Sequence, residues 1–344
     1  MRNLTLLSSC LALSLLLGAS YGAERLVVFG DSLSDDGNSF TLSGGLLPPG
    51  PSGPPGPANG DYGETFDGSG EVFLGRFTDG RNWVDYFPAD AGRFGVQISA
   101  VSAYFQDQTN DNATDFAVGG ATSGAHNALN RALKSFPDEI TAYLGSLGTN
   151  SPSEDLCVIW IGANDFSAGI NRFQTVSNIK DQIARLSRAG VKNFVAITIP
   201  DISLTPQVKA QGTEVVFAAK QFVFTANLDM EVELPRFAMQ HQISITVVEI
   251  NAIFYPIVFE PALFGFTNSV DLAYVPLNGP LRVLYPDDYV FWDGFHPTTK
   301  VHAIAADFVS KAIFAPLPFH QFLSLRQGSG PFSIGLYPSR GLFP

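Results

Sequence analysis

The chain has 344 residues, of which 45% are hydrophobic and 15% charged, and its formal net charge at pH 7 is −12. This composition supports a large buried core and excludes a mainly disordered chain. An acidic chain without a Lys/Arg-rich run is a poor nucleic-acid binder, so we predict no nucleic-acid partner.

The first 23 residues have the pattern of a secretory signal peptide. Arg2 provides a basic start, an apolar stretch runs from Leu11 to Leu17, and small residues follow towards Ala23. The apolar stretch is too short to span a bilayer. We therefore predict that residues 1–23 are a signal peptide and that the protein is secreted, either extracellular or periplasmic.

Cysteine usage predicts no intrachain disulfide. Cys10 leaves with the signal peptide, and Cys157 lies within the apolar run Leu156–Ile161. A single remaining cysteine cannot form an intrachain bond, and in this setting we expect a small core side chain.

Apolar runs typical of buried strands alternate with stretches of helical periodicity along the chain. The predicted strands are Leu26–Phe29, Asp115–Val118, Leu156–Ile161, Asn193–Ile199 and Ile243–Ile250. The predicted helices are Asn82–Phe87, Ala125–Leu144 with a break or restart at Pro137, Thr175–Ala189, Glu214–His241 and Pro297–Phe314. The Pro/Gly-rich segment Ser43–Gly70 is predicted to be a surface loop. This alternation indicates a parallel sheet covered by helices on both faces.

The first strand brings a serine to a position where chemistry is expected. Gly30 ends the strand, so Ser32 follows directly at its carboxyl end, the edge at which open α/β sheets bind ligands. We interpret Ser32 as a nucleophile. From this stretch alone, the alternative remains open that Asp31, Ser32 and Asp36 only form a turn and cap a helix.

One of the five histidines has the surroundings of a catalytic base. His296 directly precedes a predicted helix, and Asp293 lies three residues earlier, where its carboxylate could orient one imidazole nitrogen towards itself and the other towards Ser32. The remaining histidines are predicted to be surface or packing residues: His126, His241, His302 and His320.

Two further positions after predicted strands have the chemistry of oxyanion donors. Gly120 allows the backbone to approach a substrate closely, and the Asn164 carboxamide carries N–H donors. A simple turn at Gly119–Gly120 and a helix cap at Asn164 are the alternatives. Their joint location with Ser32 at one edge of one sheet favours the catalytic interpretation.

Four ordered motifs carry a resemblance to a known family. They are GDSL at 30–33, AVGGA at 117–121, GAND at 162–165 and DGFHP at 293–297. The chain resembles the GDSL, or SGNH, hydrolase family, and within it the secreted bacterial lipolytic branch of phospholipase/lecithinase/haemolysin type. The resemblance extends from about Leu26 to Phe308.

The resemblance implies a three-layer α/β/α sandwich on a flavodoxin-like parallel sheet, and neither a cofactor nor a metal. It assigns the catalytic triad Ser32, Asp293 and His296. It assigns the oxyanion-hole donors Ser32, Gly120 and Asn164, although the doublet leaves Gly119 open as the donor. Asp36 stands where the family often has Thr, a departure that concerns substrate preference.

We therefore predict a hydrolase domain over residues 24–316 and a C-terminal extension over 317–344. The predicted activity is that of a secreted serine hydrolase acting on lipid or short-chain acyl esters through an acyl-enzyme on Ser32. Its partner would be a small-molecule or lipid ester, and transient contact with a lipid surface is compatible with that. The alternatives are a glycan O-acetylesterase or lipid acyltransferase with the same triad, and a non-catalytic surface binding protein.

Overall fold

The structure is a computed structural model that describes residues 25–47, 75–92, 115–273 and 286–315. In this part of the chain, four parallel strands form one sheet in the order β1-β2-β3-β4. They are β1 (Arg25–Gly30), β2 (Asp155–Trp160), β3 (Asn193–Ile197) and β4 (Ser244–Val248). The first three strands are almost wholly buried, as expected for apolar runs covered on both faces.

The predicted strand Asp115–Val118 is wrong as a regular strand. Its first residue makes a single parallel bridge to Val28 of β1. The Asn38 side-chain amide donates to two of its carbonyl oxygens, at 3.0 and 2.8 Å. A side chain therefore occupies hydrogen-bond positions that a neighbouring strand would use. The segment still lies beside β1, and it gives the sheet the flavodoxin-like arrangement in which the second stretch of the chain is outside the first strand.

Helices cover the two faces of this sheet. The helices are α1 (Asn38–Leu42), α2 (Trp83–Gly92), α3 (Phe136–Ser146), α4 (Ala163–Ser167), α5 (Arg172–Ala189), α6 (Pro206–Lys209), α7 (Thr213–His241), α8 (Asn251–Phe259) and α9 (Thr299–Phe314). A second, two-stranded parallel pair consists of β5 (Asn268–Leu272) and β6 (Tyr289–Phe291). The described fold is thus the predicted α/β sandwich. No helix in the described ranges has the length and apolar character needed to cross a membrane.

The helix predicted within Ala125–Leu144 occupies only the second half of that range, from the restart predicted at Pro137. Helix α3 begins only after Ser135, which caps it in a reciprocal capping box, and Pro137 lies in its first turn. Before it, the Asn127 side chain accepts two backbone N–H groups and stabilises a turn. His126 consequently lies in an exposed turn instead of on a helix.

Other boundaries differ from the predicted ones by a few residues. Helix α2 continues through Pro88 to Gly92, and α5 begins at Arg172 because the Asn171 side chain caps its first turn. Helix α9 starts at Thr299, two residues after the proline predicted to open it. The short helices α1, α4, α6 and α8 were not predicted, because none has enough turns to show a clear periodicity.

The core lies between the sheet and its helices. Phe29 of β1 packs against Phe136 and Tyr143 of α3, with ring centroids 6.3 and 5.5 Å apart. Cys157 is a fully buried, free cysteine in β2, as predicted. The predicted signal peptide and C-terminal extension lie outside the described residues, as does most of the Pro/Gly-rich segment, so the domain boundaries stay predictions.

Candidate active site

Ser32 lies in a tight turn at the carboxyl end of β1. The backbone carbonyl of Asp31 accepts from the N–H groups of Ser34 and Asp35, and the Asp31 carboxylate accepts from the N–H of Leu33 at 3.1 Å. The turn of the alternative interpretation is therefore present as well. It leaves the N–H of Ser32 without an acceptor among the described residues.

The cap of the following helix is supplied by Asp35 and not by Asp36. One carboxylate oxygen of Asp35 accepts from the N–H groups of Gly37 and Asn38 at 2.8 and 2.6 Å. Its other oxygen accepts from Ser39 N–H at 3.0 Å. Asp35 therefore ties the turn after Ser32 to α1.

His296 and Asp293 are distant from Ser32 in sequence but lie close to it in the structure. The His296 Nε2 atom lies 2.7 Å from Ser32 Oγ. Its Nδ1 atom lies 2.9 and 2.7 Å from the two carboxylate oxygens of Asp293. One Asp293 oxygen also accepts from the backbone N–H groups of Phe295 and His296, which closes the loop tightly. The three side chains thus form a continuous hydrogen-bonded chain.

The charges of Asp293 and His296 shift each other's pKa values. Burial lowers the pKa of His296, but the adjacent Asp293 charge and hydrogen bond raise it by more, and the Asp31 charge adds to this, so its pKa lies above the ordinary value of 6.5. Burial raises the pKa of Asp293, but His296 lowers it by more, so its pKa lies below the ordinary range. Asp293 is therefore ionised at neutral pH and stabilises an imidazolium.

The structure separates the two glycines of the doublet. Gly119 donates its N–H to Asp35 and to Ser39 Oγ, both at 2.7 Å. Gly120 has a φ of +77°, which suits glycine, and its N–H donates to no acceptor among the described residues. The Asn127 amide donates to the Gly119 carbonyl at 2.8 Å, and in a trans peptide this directs the Gly120 N–H the opposite way. Gly120, and not Gly119, therefore carries an available donor.

Asn164 lies in α4, the helix that follows β2. It contacts the loop at 119–124, which contains the glycine doublet and is called the glycine loop below. Its Nδ2 atom donates one hydrogen bond to Ala121 O at 3.0 Å. A primary amide nitrogen has two hydrogens, so one further donor remains. The side chain is only partly buried, so it is accessible to a substrate. Asn164 is not the side-chain cap of α4, which was the alternative interpretation.

A family model described as GDSL-like Lipase/Acylhydrolase matches residues 26–309, most of the chain. The chain belongs to this family. The predicted family membership is therefore confirmed.

Several curated proteins are similar to this GDSL hydrolase. Thermolabile hemolysin of Vibrio parahaemolyticus is 27% identical over 304 residues, covering 83% of this chain and 62% of that protein. Secreted effector protein SseJ of Salmonella typhimurium is 29% identical over 289 residues, covering 81% and 60%. Phosphatidylcholine-sterol acyltransferase of Aeromonas hydrophila is 23% identical over 340 residues, covering 83% and 88%. The chain thus spans about three fifths of the length of the first two relatives.

Among solved structures, a mutant of Axe2, an acetyl-xylooligosaccharide esterase from Geobacillus, is similar to the chain. It has 15% sequence identity and a TM-score of 0.43, and the match covers 85% of this chain and 95% of that one.

Phe77 is a site residue of this GDSL hydrolase that sequence reasoning missed. Its ring centroid lies 5.2 Å from that of His296, and a Cβ at Gly119 would lie 2.3 Å from the Phe77 ring. The same segment holds the chain after His296, because Thr78 Oγ1 donates to Pro297 O at 2.9 Å and Asp79 accepts from Thr299 N–H at 2.7 Å. Phe77 has no titratable group, so its residue type gave no signal of a place in the site.

The other described histidines lie outside the hydrogen-bonded chain. His302 is buried in α9, where burial, followed by the His296 charge, lowers its pKa to about 3, and it is therefore neutral. His241 stacks on Phe237 at the end of α7, with centroids 4.0 Å apart, and His320 lies outside the described residues. In the described part of the chain, no three His, Cys, Asp or Glu side chains are arranged to hold a metal ion.

Proposed function

We propose that this GDSL hydrolase is a secreted serine esterase that cleaves lipid or short-chain acyl esters through an acyl-enzyme on Ser32. The observation that carries the proposal is the hydrogen-bonded chain from Ser32 Oγ through His296 to Asp293. It meets the geometric requirement for an activated nucleophile, a base and a group that orients the base. The proposal requires no metal and no cofactor.

In the acylation step, Ser32 Oγ attacks the ester carbonyl carbon while His296 Nε2 accepts the hydroxyl proton. The carbonyl oxygen becomes an oxyanion, which receives hydrogen bonds from the N–H groups of Ser32 and Gly120 and from Asn164 Nδ2. The bond from the carbonyl carbon to the alkoxy oxygen then breaks. His296 gives its proton to that oxygen, and the alcohol leaves. Asp293 stays ionised and stabilises the imidazolium throughout.

Deacylation repeats these steps with water as the nucleophile. His296 Nε2 accepts a proton from water as its oxygen attacks the acyl carbon, and the same three donors stabilise the second oxyanion. The bond to Ser32 Oγ breaks, His296 returns the proton to Oγ, and the carboxylic acid leaves. The available N–H groups of Ser32 and Gly120 support this role, because a free buried donor is costly unless a ligand uses it.

Acyl transfer is the second candidate function. It shares the acyl-enzyme and replaces water by an acceptor alcohol in the second half-reaction. The observation that favours it is the similarity to a phosphatidylcholine-sterol acyltransferase over 88% of that protein's length. Addition of a sterol or of glycerol to an ester assay separates the two, because transfer yields a new ester while hydrolysis yields only free acid.

Secretion is proposed from the N-terminal pattern of residues 1–23, supported by similarity to a protein named as a secreted effector. Expression of the full chain in a bacterial host, followed by N-terminal sequencing of the exported protein, tests this. A mature terminus at or next to residue 24 is expected, and export of an uncleaved chain would contradict it.

Hydrolysis of p-nitrophenyl esters from acetate to palmitate tests the proposed activity and ranks acyl length. Ser32→Ala should lose activity by a factor on the order of 10⁶. Ser146→Ala is the matched control, because its hydroxyl contacts only the end of α3, and it should keep full activity. Full activity in Ser32→Ala would overturn the mechanism. A panel of phospholipids, triglycerides and acetylated glycans then assigns the substrate class.

A further inference from the structure

Asp165 is a buried carboxylate that the proposed mechanism does not use. It follows Asn164 in α4. One oxygen accepts from Ser123 N–H at 2.8 Å. The other accepts from Ser123 Oγ at 2.5 Å and from Thr175 Oγ1 at 2.7 Å. Asp165 thus joins three separate elements: the glycine loop, α4 and α5.

The residues that Asp165 contacts are themselves held firmly. Ser123, Thr175 and Asp165 are fully buried. Asn178 of α5 donates a further hydrogen bond to Ser123 Oγ at 2.9 Å. Ser123 lies three residues after Gly120, and Asp165 lies one residue after Asn164. These hydrogen bonds therefore connect the loop that carries the Gly120 N–H to the helix that carries the Asn164 side chain.

A purely structural role would not require a carboxylate at this position. Asp165 has no cationic partner in the described part of the chain, and burial, partly offset by its hydrogen bonds to Ser123 and Thr175, raises its pKa above the ordinary range. Burial of a charge without a cationic partner is costly, whereas a neutral asparagine would accept the Ser123 N–H without that cost. What the carboxylate supplies is direction, since it can accept several hydrogen bonds at fixed angles.

We propose that Asp165 is a positioning residue of the oxyanion hole, holding the Gly120 loop at a fixed distance from Asn164. The inference rests on the proposed function and deepens it. The hydrogen bond from Asn164 Nδ2 to Ala121 O, at 3.0 Å, joins the same loop and helix directly. Without Asp165, that contact is the one hydrogen bond among the described residues that still joins the loop to α4. The donors then lose their alignment, and because they act on the transition state, kcat falls more than KM changes.

The test compares Asp165→Ala and Asp165→Asn with the wild type on one p-nitrophenyl ester, with rates normalised to sites titrated by a fluorophosphonate. Asp165→Ala should lower kcat by about 10- to 100-fold with KM changed less than about threefold, the scale expected for a misplacement near 1 Å. Asp165→Asn keeps one oxygen for Ser123 N–H, and the two hydroxyls can turn to accept from its amide. It should recover most of the lost kcat.

Asp201→Asn is the matched control. Asp201 is also buried and also accepts from the N–H and Oγ of one serine, Ser203, at 3.1 and 2.5 Å. It follows β3 and touches neither Gly120 nor Asn164 in the described contacts. It should lower the melting temperature with kcat per titrated site unchanged.

A double-mutant cycle with Asn164→Ala separates positioning from general stability. If Asp165 acts through the oxyanion hole, Asp165→Ala should cost less in the Asn164→Ala background than alone, because one of the positioned donors is already gone. A boronic acid that forms a tetrahedral adduct with Ser32 should lose affinity in Asp165→Ala in parallel with kcat/KM.

Three results would overturn the inference: kcat per titrated site within about twofold of wild type in Asp165→Ala, effects that multiply in the cycle, or an equal loss in Asp201→Asn. If Asp165→Ala does not fold, Ser123→Ala carries the same test with a smaller expected loss of kcat, because it removes the hydroxyl that donates to Asp165. A wild type that hydrolyses no ester would overturn the proposed function and this inference together, whereas an active wild type with an unaffected variant overturns only the inference.

Discussion

Buried carboxylates have different partners at the two ends of the parallel sheet. At the amino end, Asp155 pairs with Arg25 through contacts of 3.1 and 2.6 Å and also accepts from the Tyr143 hydroxyl at 2.5 Å. At the carboxyl end, Asp35 and Asp165 have no cationic partner among the described residues. Their carboxylates instead accept from backbone N–H groups and hydroxyls of the surrounding loops.

The Asp155 carboxylate is neutralised by a cation, whereas the carboxylates at the other end hold loops in place. An ion pair at a sheet edge stabilises the fold without fixing any loop, whereas a carboxylate that accepts several N–H groups fixes each of them. At the carboxyl end this arrangement occupies the N–H of Gly119 and leaves those of Ser32 and Gly120 available. The cost of this arrangement is the loss of hydration of buried carboxylates. At Glu139, for example, burial raises the pKa well above its ordinary value. The two ends should therefore respond differently to substitution.

After the loss of the nucleophile itself, the largest effect is expected at Asp293. Asp293→Asn should lower kcat by a factor on the order of 10⁴, because the imidazole loses its orienting carboxylate. The base works only when neutral, so kcat/KM of the wild type should rise with pH through a pKa above 6.5. Without the Asp293 charge, which raises that pKa, the acid limb should move to lower pH.

A pH profile of kcat/KM for both proteins measures this, with Asp287→Asn as a control that removes an exposed carboxylate outside the site. An acid limb that stays in place in Asp293→Asn would show that another group sets the pKa of the base.

The next effect is expected at Asn164. Asn164→Ala removes an oxyanion donor and should lower kcat by about 10²- to 10³-fold with little change in KM. Asn171→Ala is its matched control at the same sheet edge. That side chain caps α5 and should cost about 1 kcal/mol of stability with no loss of kcat. An unchanged kcat in Asn164→Ala, measured by steady-state kinetics, would remove this residue from the proposed mechanism.

The four strands of the main sheet were predictable from their apolar runs, and four of the five predicted strands lie within two residues of the observed ones, whereas the short strands β5 and β6 were not predicted. The turn before Ser135 was not, because side-chain hydrogen bonds such as those of Asn127 overrode the helical pattern. Ser32 and His296 lie 264 positions apart, so no local spacing could show their contact. Their proximity followed from motifs that end successive strands and from the family resemblance. Phe77 escaped because an aromatic side chain gives no chemical signal of its own.

A smaller catalytic effect is expected at Asp31, which connects the electrostatics of the site to the stability of the fold. Burial raises the pKa of Asp31 to about 7, although its hydrogen bond to Leu33 and the His296 charge lower it. The Asp31 charge in turn raises the pKa of His296. Asp31→Asn should therefore shift the acid limb of kcat/KM slightly to lower pH, with kcat changed only a few-fold.

The same substitution should alter the pH dependence of stability. A carboxyl whose pKa is higher in the folded state contributes stability that is present below its unfolded pKa of 3.8 and is lost as pH rises towards about 7. In that window, one such group lowers the unfolding free energy by up to about 1.4 kcal/mol per pH unit. Urea unfolding at pH 4 to 8 should show a flatter decline in Asp31→Asn than in wild type, and equal slopes would contradict the assignment.

The smallest catalytic effect is expected at the amino end. Arg25→Met leaves Asp155 without its cation in a largely buried position. Its cost in unfolding free energy should lie between the roughly 1 kcal/mol of a surface pair and the 3 to 5 kcal/mol of a buried one. The double variant Arg25→Met/Asp155→Leu should recover part of that loss, because no unpaired charge remains. Neither variant should alter kcat per titrated site. Because the amino-end pair fixes no loop that reaches Ser32, a fall in kcat in the double variant would show that the two ends are coupled and that the contrast between them does not hold.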